Sequence, residues 1–149
     1  MTKMLVFDMD GTIADLYRVE GWLEDLKAEK VRPYTEAKPL YNMDELRELL
    51  NKLQELGWLI CVTTWLAKNA TKEYNKAVTK AKKEWLEKYN FPYDEIHCVK
   101  YGTTKANCTR NKADFQILFD DNKKVRDGWT LGTTVNAEFD ITKFLMALV

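Results

Sequence analysis

Residues 4–12 read MLVFDMDGT, an apolar run that passes directly into two aspartates and a glycine. Successive apolar residues such as Met4–Phe7 are typical of a strand that is buried on both faces of a sheet. A strand of this kind delivers the residues that follow it, here Asp8 and Asp10, to one edge of the sheet. Gly11 permits a sharp turn there, because glycine adopts left-handed backbone conformations at little cost. The stretch therefore predicts a buried strand with a candidate site at its carboxyl end.

Further apolar runs recur along the chain, and helical patterns separate them. The additional predicted strands are Trp58–Val62, Ile96–Val99, Phe115–Phe119 and Thr133–Val135. The predicted helices are 16–30, a helix that Asn42 or Asp44 caps and that ends before Gly57, 71–89, and 139–148. Strands joined through helices need crossover connections, which favour a mainly parallel sheet with helices on both faces. The predicted fold class is α/β: a three-layer, Rossmann-like domain with a mainly parallel five-stranded sheet.

The length of 149 residues is usual for one domain. Apolar residues make up 46% and charged residues 31%, which is ordinary for a globular protein and excludes disorder. Pro33 and Pro39 punctuate an irregular excursion after the first predicted helix. We therefore expect a single domain over residues 1–149, with an insert at about 16–42 that forms a minimal helical cap.

The charges of the chain balance, since Lys plus Arg and Asp plus Glu number 23 each. Such a chain has no overall field that attracts nucleic acid or an anionic membrane, so neither is an expected partner. Lysines at helical spacing nevertheless offer a local stripe for a polyanion; they are Lys68, Lys72, Lys76, Lys80 and Lys83. Glutamates such as Glu73 and Glu84 interrupt the stripe, and we interpret it as a solvated helix face.

The three cysteines, Cys61, Cys98 and Cys108, have no CxxC spacing. This pattern suits neither a disulfide framework nor a tetrahedral zinc site, whereas it fits free thiols in a reducing cytoplasm. The only histidine, His97, lies in an apolar strand and is interpreted as structural. No run approaches the ~18 apolar residues that span a bilayer, so we expect a cytoplasmic protein that does not enter the membrane.

Short polar stretches follow three of the predicted strands. They are Asp8–Asp10, Thr63–Thr64 and Asp120–Asp121. Ligands of parallel sheets bind beyond the carboxyl ends of the strands, so these stretches should line one crevice. Four carboxylates gathered there cannot all stay ionised without a cation. Magnesium prefers oxygen ligands, and the sequence therefore predicts Mg²⁺ held by Asp8, Asp10, Asp120 and Asp121.

Phosphoryl transfer is the chemistry that this set of residues suits. One carboxylate can attack phosphorus, while a second protonates the leaving alcohol and then activates water; Asp8 and Asp10 suit these tasks. The backbone amides of Gly11 and Thr12 should face phosphate oxygens. The transition state also needs a hydroxyl and a fixed cation on the side away from the metal, which Thr63 and a lysine can supply.

Three motifs carry a family resemblance. The stretches FDMDGT at 7–12, ICVTT at 60–64 and LFDDN at 118–122 resemble those of the haloacid dehalogenase (HAD) superfamily in order and spacing. The resemblance implies a phosphatase that acts through an aspartyl-phosphate intermediate and uses Mg²⁺.

The resemblance also implies a role for each motif residue. Asp8 is the nucleophile, Asp10 the general acid and base, and Thr63 the hydroxyl ligand of the phosphate. The pair Asp120–Asp121 holds magnesium, with Asp121 favoured as the direct ligand. The next hydroxyl, Thr64, is a further candidate for phosphate binding.

The superfamily carries a lysine ahead of its last acidic strand. This sequence offers Lys105, Arg110 and Lys112 there. Because YGTTKA at 101–106 resembles the corresponding segment of small phage and bacterial members, we expect Lys105 to be the phosphate-binding cation.

Within the superfamily, DMDGTIAD at 8–15 and KEWLEKY at 83–89 are similar to 5'(3')-deoxyribonucleotidases. The implied substrate is a small phosphomonoester, a (deoxy)nucleoside monophosphate. Leu16, Tyr17 and Trp65 are candidates for contacts to it, although the segment before Thr63 is shorter than the cap of those enzymes.

The same motifs are compatible with other functions. The site could act on a sugar phosphate, a phosphorylated nucleic-acid end or a nucleotide signal. A non-catalytic HAD-fold binding protein is the alternative from another class. A second copy of the chain could complete the pocket, and the sequence is therefore compatible with a homodimer.

Overall fold

A computed structural model describes all 149 residues of the chain. Its strands are β1 (Lys3–Phe7), β2 (Ala14–Asp15), β3 (Lys38–Pro39), β4 (Trp58–Trp65), β5 (Glu95–Val99), β6 (Phe115–Asp120) and β7 (Gly132–Asn136). Five of them form one sheet in the order β5-β4-β1-β6-β7, and every adjacent pair in it is parallel. The predicted α/β, Rossmann-like class with five parallel strands is confirmed. The last strand is longer than predicted by one residue at each end.

Seven helices connect or flank these strands. They are α1 (Trp22–Lys27), α2 (Arg32–Glu36), α3 (Met43–Glu55), α4 (Lys72–Lys88), α5 (Ala106–Thr109), α6 (Lys123–Asp127) and α7 (Thr142–Leu148). None of the helices combines the length and the apolar character that crossing a bilayer requires.

The two long helices begin and end where the sequence indicates. The side chain of Asn42 accepts hydrogen bonds from the first turn of α3, and Thr71 caps α4 in the same manner. Gly57 follows α3 with a φ of +96°, the left-handed conformation expected of a glycine at a helix end. The closing helix α7 begins at Thr142, later than predicted, and Asp140 accepts the N–H of Thr142.

The hydrophobic core is larger on one face of the sheet than on the other. On one face, Phe7 stacks on Phe119 with ring centroids 4.7 Å apart, and α3 and α7 pack Leu50 and Leu145 against the same cluster. On the other face, a smaller cluster around Val6 is covered by the short helix α5 and by Trp129. The three-layer prediction therefore holds, with one thick and one thin helical layer.

The segment between β1 and α3 lies beyond the carboxyl end of the sheet. Strands β2 and β3, near the two ends of this segment, pair with each other in an antiparallel ladder. The segment also contacts α4, because Trp85 Nε1 donates to the carbonyl of Ala37 at 2.8 Å. The single helix predicted over 16–30 is wrong. A 3₁₀ turn at Leu16–Arg18 is followed by Gly21 with a φ of +74°, and the left-handed residue separates this turn from α1.

Candidate active site

Strand register brings the polar strand ends together. Phe7 of β1 lies opposite Val62 of β4 and opposite Phe119 of β6. The next residues along these three neighbouring strands are Asp8, Thr63 and Asp120, and all three are buried. The common edge predicted from the three polar stretches is therefore present at the centre of the sheet.

Three carboxylates form a compact group at this edge. Asp8, Asp120 and Asp121 each offer an oxygen, and these oxygens lie within 4.8 Å of one another. Burial, and after it the neighbouring Asp8 carboxylate, raises the pKa of both Asp120 and Asp121. The group thus carries more negative charge than its surroundings stabilise. An oxygen-only donor set with an excess of negative charge fits Mg²⁺.

Lys105 holds two members of this group. Its Nζ donates to Asp8 Oδ1 and to Asp120 Oδ2, both at 2.8 Å. Burial disfavours its ammonium form, but the two carboxylates outweigh that effect and raise the pKa of Lys105. The other two candidates lie elsewhere, since Arg110 donates to the Asn107 side chain and Lys112 pairs with Glu95 at 3.4 Å.

Thr12 fixes the second oxygen of the same aspartate. Its hydroxyl donates to Asp8 Oδ2 at 3.0 Å, while Oδ1 is held by Lys105. The prediction that the amides of Gly11 and Thr12 face a phosphate is wrong. Gly11 N–H donates to the carbonyl of Ala14 at 2.8 Å and Thr12 N–H to that of Met9 at 3.2 Å, because these bonds close the turn.

The Asp10 carboxylate lies outside the group of three. Lys82 of α4 donates from Nζ to Asp10 Oδ2 at 2.9 Å. The same ammonium donates to Thr64 Oγ1 at 2.6 Å and to the carbonyl of Trp65 at 2.7 Å. Burial raises the pKa of Asp10, and Lys82 offsets part of that rise. Of the four carboxylates predicted around one cation, three therefore lie together, and the fourth, Asp10, lies apart from them beside Lys82.

Lys82 is not among the candidate site residues predicted from the sequence. Its spacing nevertheless indicates burial. Lys82 lies one helical turn after Val78 and one turn before Trp85, on the face of α4 that packs inward. A lysine among buried apolar positions needs a buried partner. The exposed lysine stripe is the more conspicuous pattern in the sequence and does not include Lys82. The hydroxyl of Thr64, the further candidate for phosphate binding, accepts a hydrogen bond from Lys82 at 2.6 Å.

A cleft of about 290 Å³ opens over the carboxylates. Its acidic lining residues are Asp8, Asp10, Asp120 and Asp121. Ten of its sixteen lining residues are hydrophobic, and the aromatic ones are Tyr17, Trp22, Tyr34, Trp65 and Tyr101. The predicted contact residues Leu16, Tyr17 and Trp65 all line this cleft, as does Trp22. The cleft therefore combines acidic and aromatic side chains.

A second group of ligand types lies on β4 and β5, where Cys61, Glu95 and His97 offer atoms within 4.8 Å of one another. Its members have partners within the protein. Glu95 pairs with Lys112 at 3.4 Å and contacts His97 Nε2 at 3.4 Å, while Cys61 Sγ lies 3.4 Å from Thr63 Oγ1. Burial raises the pKa of Cys61 to about 12, so the thiol form is favoured. These contacts agree with a structural role for His97, and all three cysteines are free.

Among solved structures, the chain is similar to D,D-heptose 1,7-bisphosphate phosphatase from Burkholderia thailandensis. The TM-score is 0.59 at 13% sequence identity, and the alignment covers 98% of this chain and 97% of that one. At this identity the likeness establishes a shared fold, a Rossmann-like α/β fold. No protein-family model and no curated protein matches the sequence.

Proposed function

We propose that this protein is a Mg²⁺-dependent phosphomonoesterase of the HAD superfamily. The observation that carries the proposal is the setting of Asp8, whose two oxygens are held by Lys105 and Thr12 beside two further carboxylates, at the end of a substrate-sized cleft. The likeness to a phosphatase structure supports the same reaction class.

The first half of the reaction forms a covalent intermediate on Asp8. A carboxylate oxygen of Asp8 attacks the phosphorus, and the bond from phosphorus to the ester oxygen breaks. Asp10 is proposed to give its proton to the leaving alcohol. Burial raises the pKa of this carboxyl, and Lys82 offsets part of the rise. Lys105 and Thr63 are the groups proposed to bind the oxygens of the phosphoryl group.

The second half releases inorganic phosphate. Asp10, now ionised, accepts a proton from the water that attacks the aspartyl-phosphate, and the acyl phosphate bond of Asp8 breaks. Asp8, Asp120 and Asp121 are the residues that would hold Mg²⁺. The cation supplies charge neutralisation, which lets an anionic nucleophile approach an anionic ester.

We propose nucleoside monophosphates, the deoxy forms in particular, as the substrate class. Aromatic side chains offer stacking surfaces for a base, and Tyr17, Trp22 and Trp65 lie in the same cleft as the carboxylates. A sugar phosphate is the runner-up, because the solved neighbour acts on a heptose bisphosphate according to its name. The hydrophobic lining favours the nucleotide, since a polyhydroxylated sugar needs more hydrogen-bonding partners.

The reaction is tested with Asp8→Asn. We expect this variant to lose Mg²⁺-dependent release of phosphate, because an amide cannot form the acyl phosphate. Asp127→Asn is the matched control, since Asp127 is exposed on α6 and pairs only with Lys123. Unchanged turnover of Asp8→Asn would remove the nucleophile assignment.

The substrate class is tested with a panel of deoxynucleoside, ribonucleoside and sugar phosphates. We expect the deoxynucleoside monophosphates to give the highest kcat/KM. Trp65→Ala should raise the KM for a nucleotide more than the KM for glycerol phosphate, which has no ring to stack. No phosphate release from any ester, together with stable binding of a cellular partner, would favour a non-catalytic binding protein.

A further inference from the structure

Lys82 is a fully buried lysine at the middle of α4, and all of its hydrogen-bonding capacity is used. An ammonium group has three N–H donors. Here one goes to Asp10 Oδ2, one to Thr64 Oγ1 and one to the carbonyl of Trp65. These three acceptors belong to the turn after β1 and to the end of β4. The ammonium therefore joins two separate parts of the candidate active site to one helix.

A purely structural requirement does not explain a lysine here. Burying an ammonium carries a large desolvation penalty, and buried ion pairs are often no more stabilising than apolar side chains of the same size. The surroundings offer an apolar solution, because Val78, Ala81 and Trp85 on the same face are all buried. The charge of Lys82 is thus better explained by what it does to Asp10.

Lys82 determines which oxygen of Asp10 is available. It binds Oδ2, and no protein donor binds Oδ1. The Asp10 side chain also lines the cleft. A carboxyl group held by one oxygen presents the other in a defined direction, which is what proton transfer to a bound ester requires.

The charges of the site give the same indication. Asp8, Asp10, Asp120 and Asp121 would carry four negative charges when ionised, while Lys82 and Lys105 carry two positive charges. Lys82 pairs with Asp10, while Lys105 lies between Asp8 and Asp120, so Asp10 has a counter-charge of its own.

We propose that Lys82 is a positioning residue, which holds the Asp10 carboxyl in the cleft as the proton donor for the leaving group and keeps it out of the metal-binding group. This inference rests on the proposed phosphatase reaction. It assigns no contact between Lys82 and substrate, since the three donors of Lys82 are already occupied.

The proposal predicts a dependence on the leaving group. An alkyl ester releases a basic alkoxide that needs the proton of Asp10, whereas p-nitrophenyl phosphate releases a weakly basic phenolate that does not. The ratio kcat/KM reports the steps up to the loss of this group. In Lys82→Met we expect kcat/KM for glycerol phosphate to fall by about 10²–10³-fold, the usual range for general acid catalysis, and that for p-nitrophenyl phosphate to fall less than tenfold.

Two comparisons isolate the role of Lys82. Lys83→Met, at the exposed neighbouring position, should leave both kcat/KM values unchanged. In an Asp10→Asn background, adding Lys82→Met should cause no further loss on glycerol phosphate, because the two residues act as one unit. Equal losses on both esters, or multiplication of the two single losses, would show a structural role alone and overturn the proposal.

Failure to fold and failure of the proposed function are separated in the same experiment. Near-ultraviolet circular dichroism establishes that each variant is folded. If Lys82→Met does not fold, Thr64→Val removes one of the three acceptors of Lys82 and should show the same selectivity at smaller size; equal losses on the two esters would again reject the role. If the wild-type protein releases phosphate from neither ester, the phosphatase proposal itself fails.

Discussion

Gly11 and Gly57 have similar left-handed backbones, with φ of +83° and +96°, but different surroundings. A β-carbon at Gly11 would overlap Asp121 Oδ2 and lie 2.8 Å from its Cγ, while one at Gly57 would meet nothing within 4 Å. We expect Gly57→Ala to lose about 1–2 kcal/mol of stability from the left-handed conformation alone. Gly11→Ala should lose more and also lose phosphatase activity, because it displaces a proposed metal ligand.

Chemical denaturation and phosphate release measure the two effects. The comparison subtracts the backbone strain, which the two positions share. If Gly11→Ala keeps full activity, Asp121 does not need the position it has in this structure.

Lys105 and Lys112 offer a second matched pair. Lys105 is buried between Asp8 and Asp120, whereas Lys112 is half exposed beside Glu95. Removing one partner of a buried ion pair leaves uncompensated charge, so we expect Lys105→Met to lose about 3–5 kcal/mol in the absence of a divalent cation. Lys112→Met should lose less than about 1 kcal/mol, as surface pairs do. Urea denaturation checks both, and equal losses would contradict the picture of Lys105 as the internal counter-charge.

The residues that sequence could locate are those that follow strands directly. Asp8, Thr63 and Asp120 end apolar runs, and parallel register alone brings them together. Lys82 could not be placed in the same way, because its contact with Asp10 depends on how α4 rotates against the sheet. The Gly11 amide was predicted to face a phosphate, but it donates to a carbonyl within its own tight turn.

Two helix caps of the same chemistry lie in different parts of the chain. Asn42 accepts from Asp44 N and Glu45 N at the start of α3, and Asn122 caps α6 directly after the acidic pair. Replacing such a cap with alanine typically removes about 1 kcal/mol of stability. We expect Asn42→Ala to show that loss with unchanged kcat/KM.

Asn122→Ala should in addition weaken Mg²⁺ binding and lower kcat/KM. Its side chain accepts from Lys124 N at 2.9 Å, which orders the turn that follows Asp121. Thermal melts, metal titration and phosphate release distinguish the two variants. Identical behaviour of both would mean that the start of α6 does not position the acidic pair.

Helices could be predicted where the hydrophobic periodicity extends over several turns. The 17 residues of α4 and the 13 of α3 carry enough repeats to define an inward face. The short helices α5 and α6 have too few turns to show a pattern, and they were missed. The single helix predicted over 16–30 was wrong although the apolar residues there have helical spacing. The left-handed Gly21 separates the segment into two short helical pieces.

The acidic cluster should make the stability of the protein depend on pH and on metal together. Burial, and then Asp8, raises the pKa of Asp120 and Asp121 in the folded chain without a cation. A carboxyl group with a raised pKa binds more protons folded than unfolded, so stability falls as pH rises above the unfolded value of about 3.9. We expect the Tm of the metal-free protein to decrease between about pH 5 and pH 8 for this reason.

Mg²⁺ should reverse this decrease, and more strongly at the higher pH, where protons no longer compete for the carboxylates. At a concentration a hundredfold above its Kd, it should add about 2.7 kcal/mol. Calorimetry with Mg²⁺ and with a chelator measures the difference, and Asp121→Asn should reduce it. A Tm that Mg²⁺ does not change at about pH 8 would contradict the metal site.

At the scale of the whole molecule, the parallel sheet with its helical connections was the property best predicted from the sequence. Crossover connections of helical length imply parallel neighbours, and the order β5-β4-β1-β6-β7 has β1 in the middle. The shape of the cleft was not predictable, because it depends on how residues 16–42 lie over the sheet. Few regular elements constrain that segment, so its aromatic side chains could be assigned to the core or to the cleft equally well.

Those aromatic side chains give the protein a built-in optical reporter. Trp22 and Trp65 line the cleft, whereas Trp58, Trp85 and Trp129 are buried elsewhere. A molecule that enters the cleft changes the environment of the first two indoles and leaves the other three as a constant background. Intrinsic fluorescence can therefore follow occupancy in real time without a dye, and with an unreactive ester as readily as with one that turns over.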